Sequence, residues 1–313
     1  MRAAVAVRSS AAFTPVPACW ICTADRLDPS QECLFDLREY ERQDPELAAY
    51  TGARVMIARC AECEFGQPLA LPSLPRFFER MYDQRWSDDW LVREFASEAK
   101  TRIFTDVLGG LDRRLPRPRR TLLDVGAHVG KFLKLASSRG WTAEGIEMNP
   151  QTAAYARRTG ATIHQTDLRS LPRLGRAYDA VTLIDVLEHI PDPRAALETI
   201  ARLVAPDGWV AIKVPCGPNQ LRKERLRAAL GRAPRVSIGD NLVHVNHFTP
   251  FSMQLALEIA GFTDVELRVA APELPGGSVG SAIRLGIAAA ARATGGARSP
   301  LAFNLQAYGR RSG

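Results

Sequence analysis

The chain has 313 residues, 46% apolar and 24% charged, a composition that supports one large core or two smaller ones and excludes a disordered or collagen-like whole. No apolar run reaches the roughly eighteen residues a membrane crossing needs, and the start MRAAVAVRSSAAF lacks the sustained apolar centre of an export signal, so a cytoplasmic location is expected. The net charge of +7, from 41 Lys+Arg against 34 Asp+Glu, is compatible with nucleic acid, anionic lipid headgroups or phosphorylated substrates and chooses none of them.

Four of the six cysteines form two C-x-x-C pairs, Cys19-Trp-Ile-Cys22 and Cys60-Ala-Glu-Cys63. Each pair can wrap two thiolates around one ion. Two such knuckles fill a tetrahedral zinc and leave no open position, which predicts a structural metal. The 37 residues between Cys22 and Cys60 exceed the spacing of a compact ribbon, so a small antiparallel unit must bring the knuckles together. VMIARC supplies one of its strands, with Val55 and Ile57 alternating against Met56 and Ala58. Without an export signal, disulfides are disfavoured. Cys33 is a possible substitute ligand, and Cys216 reads as a lone buried thiol. The zinc-binding module is expected over residues 15–75.

A helical connector is expected over 76–115. SDDWLVREFASEAKTRIFTDVLGGLD reads as one helix, capped by Ser87, with Asp88 and Asp89 in its first turn. Leu91, Phe95, Ala99 and Ile103 share its apolar face, and Gly109-Gly110 would stop it. RRLPRPRR at 113–120 then reads as a proline-stiffened linker, and RKERLR at 222–227 as an exposed helix or loop.

In the third region, 116–313, TLLDVG, TAEGIE, ATIHQTD, YDAVTLID and WVAIKV read as buried strands separated by helical stretches. Such alternation predicts an α/β fold, a doubly wound, mostly parallel Rossmann-like sheet that binds its ligand beyond the carboxyl ends of the strands. The motif residues fall at those ends. After the first strand, Gly126-Ala127-His128-Val129-Gly130 lacks the middle glycine that lets backbone approach a pyrophosphate, which argues against NAD and for S-adenosylmethionine, a ligand without phosphate. Glu147 stands 23 residues after Asp124, where an acidic side chain can accept both ribose hydroxyls, with Met148 beside it. Asp167 ends the third strand, placed for the adenine amine, with Leu168 adjacent. Asp185 ends the fourth, and Leu187, Glu188 and His189 follow at the rim.

LLDVG-x-x-x-G, the acidic GIE, the D-x-x-x-LP segment and DVLEHIPDP together resemble the class I S-adenosylmethionine-dependent methyltransferases. The paired knuckles, the M-Y-D-Q-R-W segment and HVNHFTPFSMQLALEIAGF resemble that family's zinc-ribbon-bearing branch, common in bacterial polysaccharide and secondary-metabolite pathways. The resemblance implies an antiparallel last strand, S-adenosylmethionine as cofactor and a sugar, glycolipid or natural-product acceptor. It also departs from that branch at His128, Val243 and Asn246. If the acceptor must lose a proton, His189 and His244 are the candidate bases, whereas His247, beside Phe248, reads as a structural histidine capping a loop and His164 as packing. Cofactor contacts are expected from Asp124, Gly126, His128, Gly130, Glu147, Met148, Asp167, Leu168 and Asp185, and zinc at Cys19, Cys22, Cys60 and Cys63. Two alternatives stay open: an RNA methyltransferase gripping phosphates through the arginine runs, and a zinc-stabilised scaffold with a degenerate pocket. The sequence leaves the oligomeric state undetermined.

Overall fold

The computed structural model describes residues 12–82, 87–116, 120–168, 170, 175–231, 240–274 and 276–313. The start of the chain, Asp83 to Trp86 of the M-Y-D-Q-R-W segment, the middle of the 113–120 linker and the LP of D-x-x-x-LP lie outside the described residues.

The amino-terminal region builds two small sheets. β1 (Phe13–Pro15) pairs antiparallel with β5 (Ala70–Pro72), and β2 (Leu27–Leu34), β3 (Arg54–Cys60) and β4 (Gly66–Pro68) form an antiparallel sheet in that order. Leu27 pairs with Cys60, so the β2–β3 ladder carries the second knuckle back to the first. Between β2 and β3 lies α1 (Pro45–Ala48), capped by the Asp44 carboxylate, and behind them an aromatic core of Phe13, Phe35, Tyr50 and Phe77. Phe77 opens α2 (Phe77–Tyr82).

The single connector helix expected from the sequence is two helices, α3 (Asp88–Ala96) and α4 (Thr101–Arg114). Ser87 caps α3 by accepting from the Trp90 amide, as expected. The break at Ser97–Lys100 turns the chain so that Lys100 reaches the crevice described below. Gly109-Gly110 does not stop the helix: α4 runs through both. A Cβ at Gly110 would collide with the Tyr308 hydroxyl, so this glycine serves close packing of α4 on the sheet.

The large sheet contains β6 (Thr121–Val125), β7 (Thr142–Ile146), β8 (Thr162–His164), β9 (Tyr178–Ile184), β10 (Val204–Pro215), β11 (Phe262–Val269) and β12 (Asn304–Arg311). Its order is β11-β12-β10-β9-β6-β7-β8. The five strands β8, β7, β6, β9 and β10 are parallel, whereas β12 runs antiparallel to both β10 and β11. The covering helices are α5 (Lys131–Ser138), α6 (Pro150–Arg158), α7 (Pro193–Leu203), α8 (Gly217–Ala229), α9 (Pro250–Ile259) and α10 (Ser278–Ala293). Asn149, Asp192 and Thr249 cap α6, α7 and α9, each followed by a proline at the first helical position. This is the doubly wound Rossmann-like architecture expected, with β12, antiparallel, as its last strand. Winding proceeds one way from β6 through β8 and the other way from β9, so the topological switch lies between β6 and β9.

Among the described residues, no helix is long and apolar enough to cross a membrane.

Candidate active site

The candidate site sits at the carboxyl ends of β6, β7, β8, β9 and β10. After β6 the chain turns through Gly126 (φ +76°) and His128 (φ +51°) to Gly130 (φ +79°), which opens α5. A Cβ on Gly126 would strike Val186, at 2.6 Å, so this turn is closed tightly against the segment leaving β9. His128 adopts the left-handed conformation usually given to glycine. Its ring turns aside to meet Trp90 of α3 edge-on, 5.5 Å between centroids.

Glu147, at the end of β7, is held by two backbone donors: the His128 amide reaches one carboxylate oxygen and the Asn149 amide the other, both at 2.8 Å. Among the described residues each oxygen keeps a further lone pair, so the carboxylate can accept from both hydroxyls of a ligand diol. Met148 beside it is 44% exposed. Asp124 lies deeper. It is buried in the sheet, accepts from Thr182 Oγ1 at 2.6 Å, and burial pushes its carboxyl up to about 7. Asp167 accepts from the Ser170 amide at 2.9 Å, with half-buried Leu168 adjacent.

Asp185 (φ +56°) ends β9 between two lysines, Lys213 of β10 and Lys100, the latter at 3.0 Å. Their charges overcome burial and hold its carboxyl well below the usual range. Glu188, His189 and His244 place one nitrogen or oxygen each within 4.8 Å of one another. The rings of His189 and His244 meet edge-on at 4.8 Å. His189 Nδ1–H donates to the Val243 carbonyl at 2.6 Å; the Tyr82 hydroxyl lies 2.8 Å from the same nitrogen and donates to the same carbonyl. That assignment leaves Nε2 as the acceptor. Burial lowers both histidines, His244 to about 3, which favours their neutral forms. Burial, reinforced by the Asp185 charge, pushes Glu188 up to about 8.

Tyr82, Lys100, Lys213 and Trp90 were not among the expected site residues. Lys213 alone had a readable signal, a lysine inside the apolar strand WVAIKV.

The loop that carries His244 is pinned by the knuckle region. Gly66 and His247 form an antiparallel bridge, and Phe65 packs on Phe248 at 5.0 Å. Asn246 donates to the carbonyls of Leu187 and Ile190, both at 2.7 Å, tying the same loop to the segment after β9. Cys19, Ile21, Cys60, Cys63 and Phe65 therefore share one hydrophobic core with Leu187, Phe248 and Met253.

The four cysteine sulfurs lie within 4.8 Å of one another, with Cys19–Cys63 and Cys22–Cys60 both at 3.5 Å. Four sulfurs at about 2.3 Å from a tetrahedral ion stand roughly 3.8 Å apart, whereas a disulfide would need about 2 Å. The donor set fits zinc. Cys33 is not part of it: it is buried in the aromatic core, where desolvation pushes its thiol up to about 12. Cys216 is buried elsewhere, its thiol pushed up to about 11. His164 meets Glu144 at 2.9 Å, and His247 is fully enclosed.

A family model described as a methyltransferase domain matches residues 94–267, more than half of the chain. The ubiquinone biosynthesis O-methyltransferase of Paracidovorax citrulli is 32% identical over 111 residues, covering 33% of this chain and 47% of that protein. The Thiobacillus denitrificans protein of the same name is 32% identical over 129 residues, covering 39% and 54%. The chain thus spans about half the length of the curated relatives it matches. A chain from the complex between the Haloferax volcanii Trm112 methyltransferase activator and a methyltransferase superposes with a TM-score of 0.51 at 16% identity, over 72% of this chain and 97% of that one, a likeness of fold alone. The chain belongs to the methyltransferase-domain family.

Proposed function

We propose that the chain transfers a methyl group from S-adenosylmethionine to a small-molecule acceptor, a sugar, glycolipid or natural product, with His189 and His244 as the base pair at the acceptor end. The observation that carries this reading is their geometry: two neutral imidazoles face each other at the strand-end rim, one with its Nδ1 committed to Val243 and its Nε2 available. Bound S-adenosylmethionine supplies a methyl group already activated on a sulfonium. The chain's own work is therefore to align the partners and take a proton from the acceptor. Glu147 is assigned the ribose hydroxyls, and Asp167 with Leu168 the adenine end. Gly126, His128 and Gly130, floored by Asp124, form the turn around the amino-acid end, with Met148 and Asp185 bordering the pocket. The curated relatives are named O-methyltransferases, which favours an oxygen acceptor.

Zinc on Cys19, Cys22, Cys60 and Cys63 is assigned a structural role, because four thiolates leave no open position. The domain organisation proposed is a zinc-binding module at 15–75, a helical connector at 76–115 and a cofactor-binding domain at 116–313.

Calorimetric titration with S-adenosylmethionine and S-adenosylhomocysteine tests the cofactor half: both bind the wild type, and Glu147→Ala weakens both. His244→Ala tests the acceptor half: binding stays and methyl transfer falls by about 10²–10⁴-fold. Absence of binding in folded, zinc-loaded protein sinks the reading.

A further inference from the structure

Among the described residues, the four most exposed large apolar side chains fall on or at the end of two helices. Leu226 and Leu230 are 63% and 65% exposed at the end of α8; Val279 and Ile283 are 72% and 58% exposed near the start of α10. Each pair is spaced four residues apart, so its members lie on one face. Among the described side chains of α10, those fully buried are Ala288 and Ala291, both in its second half, so the first two turns project.

These residues are set in positive charge. α8 carries Arg222, Lys223, Arg225 and Arg227 against Glu224, and Arg284, Arg292 and Arg298 lie on α10 or just after it, with no aspartate or glutamate between residues 274 and 303. α8 is tied to the segment that follows α10. Asn219 donates to the carbonyls of Ser299 and Ala302, at 3.1 and 2.9 Å, and Lys223 lies over the Phe303 ring at 5.1 Å. Burial lowers Lys223, and the charges of Arg227 and Arg284 add to this.

Topology fixes which way this surface faces. α8 leaves the carboxyl end of β10, and α10 follows the carboxyl end of β11, which runs in the same direction as β10. Both helices therefore rise from the edge of the sheet that carries Asp185, His189 and His244.

We infer that α8 and α10 form a docking surface for an anionic lipid bilayer, which brings the crevice to an acceptor whose anchor lies in the membrane. Leu226, Leu230, Val279 and Ile283 enter the headgroup boundary while the arginines around them meet lipid phosphates. Aliphatic tips ringed by cations fit a bilayer; a nucleic-acid groove would present stacking aromatics instead, and none of these four is aromatic. The inference rests on the proposed methyl transfer only for the nature of the acceptor; the surface itself is tested separately.

The test is co-sedimentation of the full chain with vesicles of phosphatidylglycerol or of phosphatidylcholine, in low and high salt. The protein is expected to partition onto phosphatidylglycerol, weakly onto phosphatidylcholine, and to be partly released by salt. Replacing Leu226, Leu230, Val279 and Ile283 together by Asn is expected to weaken partition about tenfold or more, with the S-adenosylmethionine titration unchanged as the check on folding. That titration reads the cofactor pocket whether or not vesicles bind, so failure of either reading is visible alone. Three outcomes overturn the inference: no partition onto phosphatidylglycerol; partition indifferent to the four substitutions and competed away by an oligonucleotide; or a dimer in sedimentation that buries the patch and never meets vesicles.

Discussion

Gly66 and His247 exchange both of their backbone hydrogen bonds, Gly66 N to His247 O at 3.1 Å and His247 N to Gly66 O at 2.9 Å. The strand after the second knuckle is thereby joined, main chain to main chain, to the loop that presents His244. A Cβ on Gly66 would meet the His247 Cβ at 2.8 Å.

Gly66→Ala should therefore push His247 and its loop away. The expected cost is about 1–3 kcal/mol of stability, with turnover falling more than S-adenosylmethionine affinity, because the cofactor turn lies elsewhere. Denaturant unfolding and a kcat against Kd comparison check it. Equal losses in both would place the loop nearer the cofactor than the structure has it.

Metal removal should act along the same path. Zinc release is expected to unfold a site whose ligands come from two turns far apart in the chain, and the bridge at Gly66 with it. Chelation is expected to lower the thermal midpoint and abolish methyl transfer. An unchanged melting curve after verified zinc loss would refute the structural role.

The pH dependence has opposing limbs. Glu188, raised from 4.5 to about 8, contributes stability that is full below 4.5 and is lost as pH rises through 8. His244 and His247, lowered by burial from 6.5 to about 3 and 4, contribute stability present above 6.5 and lost as pH falls. Asp124, raised to about 7, acts in the same direction as Glu188. Glu188→Gln should flatten the alkaline limb, so that its thermal midpoint gains on the wild type between pH 6 and 9. Parallel curves across that range would mean Glu188 is already ionised in the folded protein.

His128 occupies the left-handed region at a cost of roughly 1 kcal/mol for a residue with a Cβ. His128→Gly relieves that strain and loses the edge contact with Trp90, so stability should stay within about 1 kcal/mol and S-adenosylmethionine should bind at least as well. A tenfold weaker affinity would show that the ring itself meets the ligand.

The parallel strands and the strand-end acids were legible because buried runs and turn residues are local signals. So was the four-cysteine cluster, since C-x-x-C spacing encodes its own geometry. The break between α3 and α4 was not: Leu91 and Ile103 keep the apolar rhythm across it, and it takes Lys100's pairing with Asp185 to show why the chain turns there. Gly110 was misread for a related reason, because a glycine needed for Tyr308 and one ending a helix look alike in one dimension. Tyr82 and Lys100 reach the site from the connector, a long-range juxtaposition with no sequence spacing to announce it.

The backbone joint at Gly66 also has an evolutionary consequence. Side chains on the acceptor loop can drift without severing it, because main-chain bonds are indifferent to which residues supply them. The glycines that give His247 room are not free to drift: Gly217, like Gly66, would collide with it if it gained a Cβ. The side chains of this loop can thus change around a fixed main-chain joint, whereas a chimaera that exchanged the ribbon alone would have to carry a glycine in register with His247.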